Sequence, residues 1–152
     1  MKHKSCFFIG HRDTSGNVMF QLQESVNKHI AEYGVTNFIV GNYGAFDRFA
    51  AKAVINAKKL FPNIVLSLLL PYHPAECLIK MPDGFDGTYY PSNMEKVPKR
   101  FAIYRANRNV INQVEFLIAY APNPASNSIK LVEYAQSRER KNLITITLLK
   151  VC

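Results

Sequence analysis

Three consecutive stretches decide the fold: Asn37-Phe-Ile-Val-Gly41, then Phe46-Asp-Arg-Phe-Ala-Ala-Lys-Ala-Val-Ile-Asn-Ala-Lys-Lys-Leu60, then Ile64-Val-Leu-Ser-Leu-Leu-Leu70. The first is a short apolar run closed by glycine, which reads as a strand. In the second, Phe46, Phe49, Ala50, Ala53, Val54, Ala57 and Leu60 recur at the three- and four-residue spacing of one helix face, and Pro62 stops the helix. The third is apolar at successive positions, so both faces of its strand must be covered. Strands of that kind, alternating with helices, imply a parallel sheet between two helical layers.

The same alternation continues outward. Upstream, Cys6 to Ile9 reads as a strand, and Met19, Leu22, Val26, Ile30 and Tyr33 follow a helical period. Asp13, Thr14, Ser15 and Asn17 offer capping oxygens before that helix, and Gly34 is placed to end it in the left-handed conformation. Downstream, the pattern predicts a helix from about Ile103 to Ile111, a strand Val114 to Tyr120, a helix from about Ser128 to Arg140 and a strand Leu143 to Leu149. The fold class is therefore α/β, a single-domain, doubly wound, mostly parallel sheet of about five strands with four helices. Between them, residues 71–101 read as a long irregular loop, broken by Pro71, Pro74, Pro82, Pro91, Pro98, Gly84 and Gly87. The 152 residues, 48% hydrophobic and 20% charged, fit one globular domain.

Several classes of function fall away. The longest apolar run, Ile64 to Leu70, is far short of the ~20 residues that span a bilayer. The start of the chain reads as a core strand rather than a secretory signal. Cys6, Cys77 and Cys152 are odd in number and lack Cys-x-x-Cys spacing, which points to a reducing cytoplasm and away from disulfides or a thiolate zinc site. No metal-ligand spacing, Gly-x-Ser-x-Gly turn or Walker-type phosphate loop occurs, so no metal or cofactor is expected and no catalytic residue is assigned. The net charge of +8 suits an anionic partner, small molecule or nucleic acid, without choosing between them.

In open α/β sheets ligands lie beyond the carboxyl ends of the strands, where helix N-termini present free N–H groups. After the first strand come Gly10, His11 and Arg12; after the second, Gly41 and, in the next helix, Asp47; after the fourth, the turn Ser126, Asn127 and Ser128. Arg105, Asn107 and Arg108 share one turn of the helix that follows the irregular loop. Glycine admits a ligand close to the backbone, Arg12 can grip phosphate or carboxylate with a fork of donors, and Asp47 suits either the helix dipole or a ribose or base.

The pieces Cys6-Phe-Phe-Ile-Gly-His-Arg12, Phe38-Ile-Val-Gly41, Leu69-Leu-Pro-Tyr72, Phe85-Asp-Gly-Thr-Tyr-Tyr-Pro91, Arg105-Ala-Asn-Arg108 and Phe116-Leu-Ile-Ala119 resemble, in order and spacing, the YpsA-like branch of the SLOG superfamily. Its Rossmann-like relatives include the LOG phosphoribohydrolases and the DprA DNA-binding proteins. The resemblance implies a nucleotide or phosphorylated nucleoside derivative bound at the strand ends, with N-glycosidic hydrolysis as the alternative and single-stranded nucleic-acid binding as a second. It also implies a homo-oligomer. The chain departs from the family where a Gly-Gly-Thr turn would open the fourth helix: it has Ser126-Asn127-Ser128, and Lys130 and Leu131 stand where the hydrolases carry a Glu. The expectation is thus a binding protein rather than an enzyme.

Overall fold

A computed structural model describes residues 3–151. It is a six-stranded sheet, every neighbouring pair parallel, flanked by helices. The strands are β1 (Lys4–Gly10), β2 (Val35–Val40), β3 (Val65–Leu69), β4 (Gly87–Tyr89), β5 (Phe116–Tyr120) and β6 (Thr145–Leu148). Between them run α1 (Met19–Ala31), α2 (Ala45–Lys58), α3 (Lys99–Ile111) and α4 (Asn127–Glu139). The spatial order β4-β3-β2-β1-β5-β6 makes this a doubly wound, Rossmann-like fold. The chain builds outward from β1 to β4, then returns to lay β5 on the other side of β1. The crevice opened by that reversal lies beyond the carboxyl ends of β1 and β5.

Two cores explain why the strands are apolar at successive positions. Because side chains alternate along a strand, Cys6 and Phe8 of β1 enter the core beneath α1 and α2, whereas Phe7 and Ile9 enter the core beneath α3 and α4. β5 divides in the same way, Ile118 to the first core and Leu117 with Ala119 to the second. The expected elements before α1 are also present. Ser15 Oγ accepts the Asn17 N–H in the 3₁₀ turn that leads into the helix, and Gly34 takes φ +74° after it.

The irregular segment holds a strand that periodicity misses. Three residues cannot display a period, and Pro82, Gly84 and Pro91 surround them. Pairing with β3 defines β4, and Asp86 fixes its register: the carboxylate accepts the Leu66 N–H at 2.8 Å and Lys58 Nζ at 2.6 Å. Residues 73–84 remain exposed and outside any strand or helix. The following helix also begins earlier than its apolar period indicates, at Lys99 instead of about Ile103. Its first turn, Lys99 to Ala102, opens with two cations and an exposed Phe101 and buries only the small Ala102, so no apolar period announces it. Sheet and helices therefore number six and four, one strand more than expected.

His29 is a buried polar exception within α1. Its Nδ1–H donates to the Ser25 carbonyl at 2.6 Å, its ring meets Tyr33 and Phe116 edge-on, and Nε2 has no partner. Burial lowers its pKa, since the charged ring would lose hydration that nothing replaces. The unfolded chain therefore takes up the proton first. Stability is full above the unfolded pKa near 6.5 and is lost as pH falls through it. Urea midpoints at pH 7.5 and 5.5, compared with His29→Phe, should show wild type losing ground to the variant at the lower pH. A pH-independent difference would mean that His29 is not neutral in the folded state.

Candidate functional site

The loops after β1 and β2 are stitched together. Ala45 N–H donates to the Arg12 carbonyl at 2.8 Å and Phe46 N–H to the His11 carbonyl at 3.4 Å. A Cβ on Gly44 would stand 2.5 Å from Arg12 Cα, so glycine there lets one loop press against the other. Gly44 is extended, with φ 169°, and its role is this close approach rather than an unusual backbone angle. The consequence for ligand binding is specific. The first N–H groups of α2 are consumed by β1's loop, while the loop holds Arg12 at the mouth of the crevice.

Gly10 serves packing as well. An added Cβ would fall 2.2 Å from the Phe46 ring. On its other side, the Gly10 carbonyl accepts Ser128 Oγ at 3.1 Å, which ties the start of α4 to the end of β1. His11, nearly buried, accepts the Asn123 N–H on Nε2 at 2.9 Å and so anchors the loop that leads into α4. That bond requires Nε2 to be unprotonated, with any ring proton on Nδ1. His11 thus acts on the site through the loop it pins.

Between these loops and α3 lies a half-open cavity of about 750 Å³. Of the residues expected from sequence, it brings together Gly10, Arg12, Asp47, Asn107, Asn127 and Ser128. His11, Gly41, Arg105, Arg108 and Ser126 do not line it. Arg108 instead stacks on the Tyr134 ring at 4.3 Å, and Arg105 is exposed. Ser126 is the N-cap of α4, although its side chain makes no capping bond and its buried hydroxyl has no partner.

Arg100, Tyr104, Tyr43 and Lys130 also line the cavity and were not among the expected site residues. One signal for the first two was available. Arg100, Ile103, Tyr104 and Asn107 repeat at spacings of three, one and three, which places them on one face of a helix that begins at Lys99. Three cations, Arg12, Arg100 and Lys130, therefore line the same cavity as Asn127 and Ser128, the first residues of α4. Cations and a helix N-terminus together suit a phosphate.

The cavity also holds an acid. Asp47, in the first turn of α2, accepts the Tyr43 N–H on Oδ2 at 3.0 Å. Gly41 leaves room for this contact, since a Cβ there would stand 2.8 Å from the Tyr43 ring and 3.0 Å from Asp47 Oδ2. Burial pushes the Asp47 carboxyl up to about 6, with the Tyr43 N–H and Arg48 drawing it partly back. Burial and the neighbouring Asp47 charge raise the Tyr43 phenol too. Asp47 is the only acid among the described residues that line the cavity. Glu133, the nearest glutamate after the α4 turn, is exposed and lies outside it. The described residues contain no group of His, Cys, Asp and Glu arranged to hold a metal, and no helix long and apolar enough to cross a membrane.

No protein-family model and no curated protein sequence matches the chain. Its fold is similar to solved structures of molybdenum-cofactor proteins. Two structures of the Moco carrier protein from Chlamydomonas reinhardtii align at TM-scores of 0.52 and 0.56, each at 16% identity over 97% of this chain and 76% of theirs. The molybdenum cofactor binding protein of Rippkaea orientalis aligns at a TM-score of 0.62 and 11% identity, over 97% of this chain and 90% of its own. At these identities the likeness is one of fold.

Proposed function

We propose that the protein binds a phosphorylated, ring-bearing small molecule beyond the carboxyl ends of β1 and β5, and holds it without cleaving it. The observation that carries this reading is the charge of the cavity lining: Arg12, Arg100 and Lys130 stand against Asp47 alone among the described residues, beside the first residues of α4, Asn127 and Ser128. A nucleotide or phosphorylated nucleoside derivative fits that lining, as the resemblance to the YpsA-like branch implies. The same resemblance supports a homo-oligomer, and the odd number of cysteines without Cys-x-x-Cys spacing supports a reducing cytoplasm. N-glycosidic hydrolysis has less support, because Lys130 and Leu131 line the cavity where the hydrolases carry a Glu. A cation at that place favours retaining a phosphate over activating water.

The solved neighbours favour a second ligand of the same chemistry. Their names assign them the molybdenum cofactor, a small anionic molecule, and the fold similarity extends over 97% of this chain. Both readings place an anionic group against the cations.

Isothermal titration with ribose 5-phosphate, nucleoside monophosphates and a pterin monophosphate tests the cationic lining they share. Arg12→Ala should weaken every phosphorylated ligand by ~10-fold, the loss of one charged hydrogen bond. Arg108→Ala, outside the cavity, should leave affinity unchanged. Equal effects of the two substitutions would reduce Arg12 to general surface charge, and release of free base during the titration would replace binding with hydrolysis.

A further inference from the structure

The acid makes little sense for an anion site by itself. A carboxylate within a phosphate-binding cavity repels the ligand, unless the ligand brings donors to it. Asp47 Oδ2 is engaged by the Tyr43 N–H, and no described residue bonds Oδ1. Beside it, the Tyr43 hydroxyl is buried without any hydrogen-bond partner. Of the described residues with a buried, unpartnered side-chain polar atom, Tyr43 is the one that lines the cavity. Two aromatic rings line the cavity, Tyr43 itself and Tyr104 of α3. Flat rings with an acceptor pair at one end fit a flat heterocycle with donors on its edge.

Resting on the binding function above, we propose that Asp47 and Tyr43 form a donor-reading end of the cavity, which selects phosphorylated ligands whose ring presents a 2-amino-4-oxo edge. On that edge a ring N–H and an exocyclic amine point the same way, so a carboxylate accepts both side by side. The adjacent exocyclic carbonyl oxygen is an acceptor for a hydroxyl donor such as that of Tyr43. Guanine and pterins share this edge. Adenine places an acceptor nitrogen beside its amine, which would face the carboxylate unfavourably, and hypoxanthine lacks the amine. Asp47 is then the specificity-determining residue, and Arg12, Arg100 and Lys130 supply affinity common to all phosphorylated ligands.

The test is a titration series on the whole chain with GMP, 2′-deoxy-GMP, IMP, AMP, neopterin monophosphate, ribose 5-phosphate, guanosine and adenosine. GMP should bind ~10-fold or more tightly than IMP and AMP, in keeping with the loss of a paired donor at a polar site. 2′-Deoxy-GMP should equal GMP, because the ring edge and not the ribose is read. Neopterin monophosphate binding alone among the pair would assign the edge to pterins, and GMP alone to guanine. In Asp47→Asn the preference for the shared edge should collapse by ~10-fold, while ribose 5-phosphate binds unchanged or more tightly. Tyr43→Phe should lower the same preference less, and circular dichroism should show both variants folded.

Opposite results are equally defined. If Asp47→Asn tightens all phosphorylated ligands alike, Asp47 is background charge and the donor-reading assignment is overturned. If 2′-deoxy-GMP loses as much as AMP, the carboxylate reads a ribose diol and the assignment is likewise overturned. Should ribose 5-phosphate fail to bind and Arg12→Ala change nothing, the phosphate reading fails on its own. Guanosine against adenosine, neither carrying phosphate, then still decides whether the edge is read.

Discussion

Gly10→Val should destabilise the protein by ~3 kcal/mol, at the upper end of what overpacking a filled core costs. Valine is among the best residues for a strand, and Gly10 has no positive φ angle for a side chain to strain. Backbone preference therefore cannot account for a loss. The cause is contact: the new Cβ would enter the Phe46 ring, 2.2 Å from its nearest atom, and that ring is itself buried and stacked near Tyr120. Moving it disturbs the loop that α2 and β1 share, where Phe46 N–H bonds the His11 carbonyl. Removing the ring should relieve the clash, so Gly10→Val with Phe46→Ala should be less destabilised than the sum of the two single variants. Denaturant midpoints of the four proteins measure this. Strict additivity would show that Gly10 does not hold Phe46 in place.

Asp47→Asn should have the opposite sign and raise the stability of the ligand-free protein by ~1–2 kcal/mol at pH 8. The Asp47 carboxyl sits up to about 6 in the folded protein, against an ordinary value near 3.8. The folded state thus holds its proton more tightly than the unfolded state does. Stability from this group is present below the ordinary value, falls as pH rises from 3.8 to about 6, and is fully lost above that. A shift of that size corresponds to a ceiling of ~3 kcal/mol, reduced by the favourable dipole interaction that a charged Asp makes in the first turn of α2. Asparagine keeps an oxygen for the Tyr43 N–H and removes the charge. Urea titrations across pH should show the variant's advantage at pH 8 shrinking toward nothing near pH 4. An advantage that did not change with pH would mean that the charge is not the source of the penalty. A carboxylate that weakens the fold at neutral pH, yet faces a cavity, is what a site selected for recognition would carry.

Much of this architecture is legible before any coordinates. The apolar continuity of Cys6 to Ile9 and Ile64 to Leu70 requires cover on both faces, and the helical period of Phe46 to Leu60 supplies a covering layer, so a parallel, doubly wound sheet follows from pattern. Gly34, Ser15 and Pro62 mark helix ends through local chemistry, which acts over a few residues and needs no tertiary partner. The strand Gly87–Tyr89 is not legible in that way, because three residues gain their conformation from pairing with β3 and from Asp86, whose partners Leu66 and Lys58 are remote in sequence.

The candidate site divides along the same line. Sequence alone placed Gly10, Arg12, Asp47, Asn127 and Ser128 after strand ends, since the topology of an open α/β sheet dictates where such loops converge, and singled out Asn107 only by its turn of α3. Only tertiary structure decided what each residue does there. Gly10, Gly41 and Gly44 give room to Phe46, to the Tyr43–Asp47 pair and to Arg12, contacts between segments that are separate in sequence or fold back on themselves. His11 is turned to the Asn123 amide and Arg108 to the Tyr134 ring. Arg100, Tyr104 and Lys130 join the cavity because α3 and α4 pack on the same face of the sheet. Periodicity reports which face of an element is buried, whereas the direction in which a polar side chain points depends on the neighbour that the completed fold brings to it.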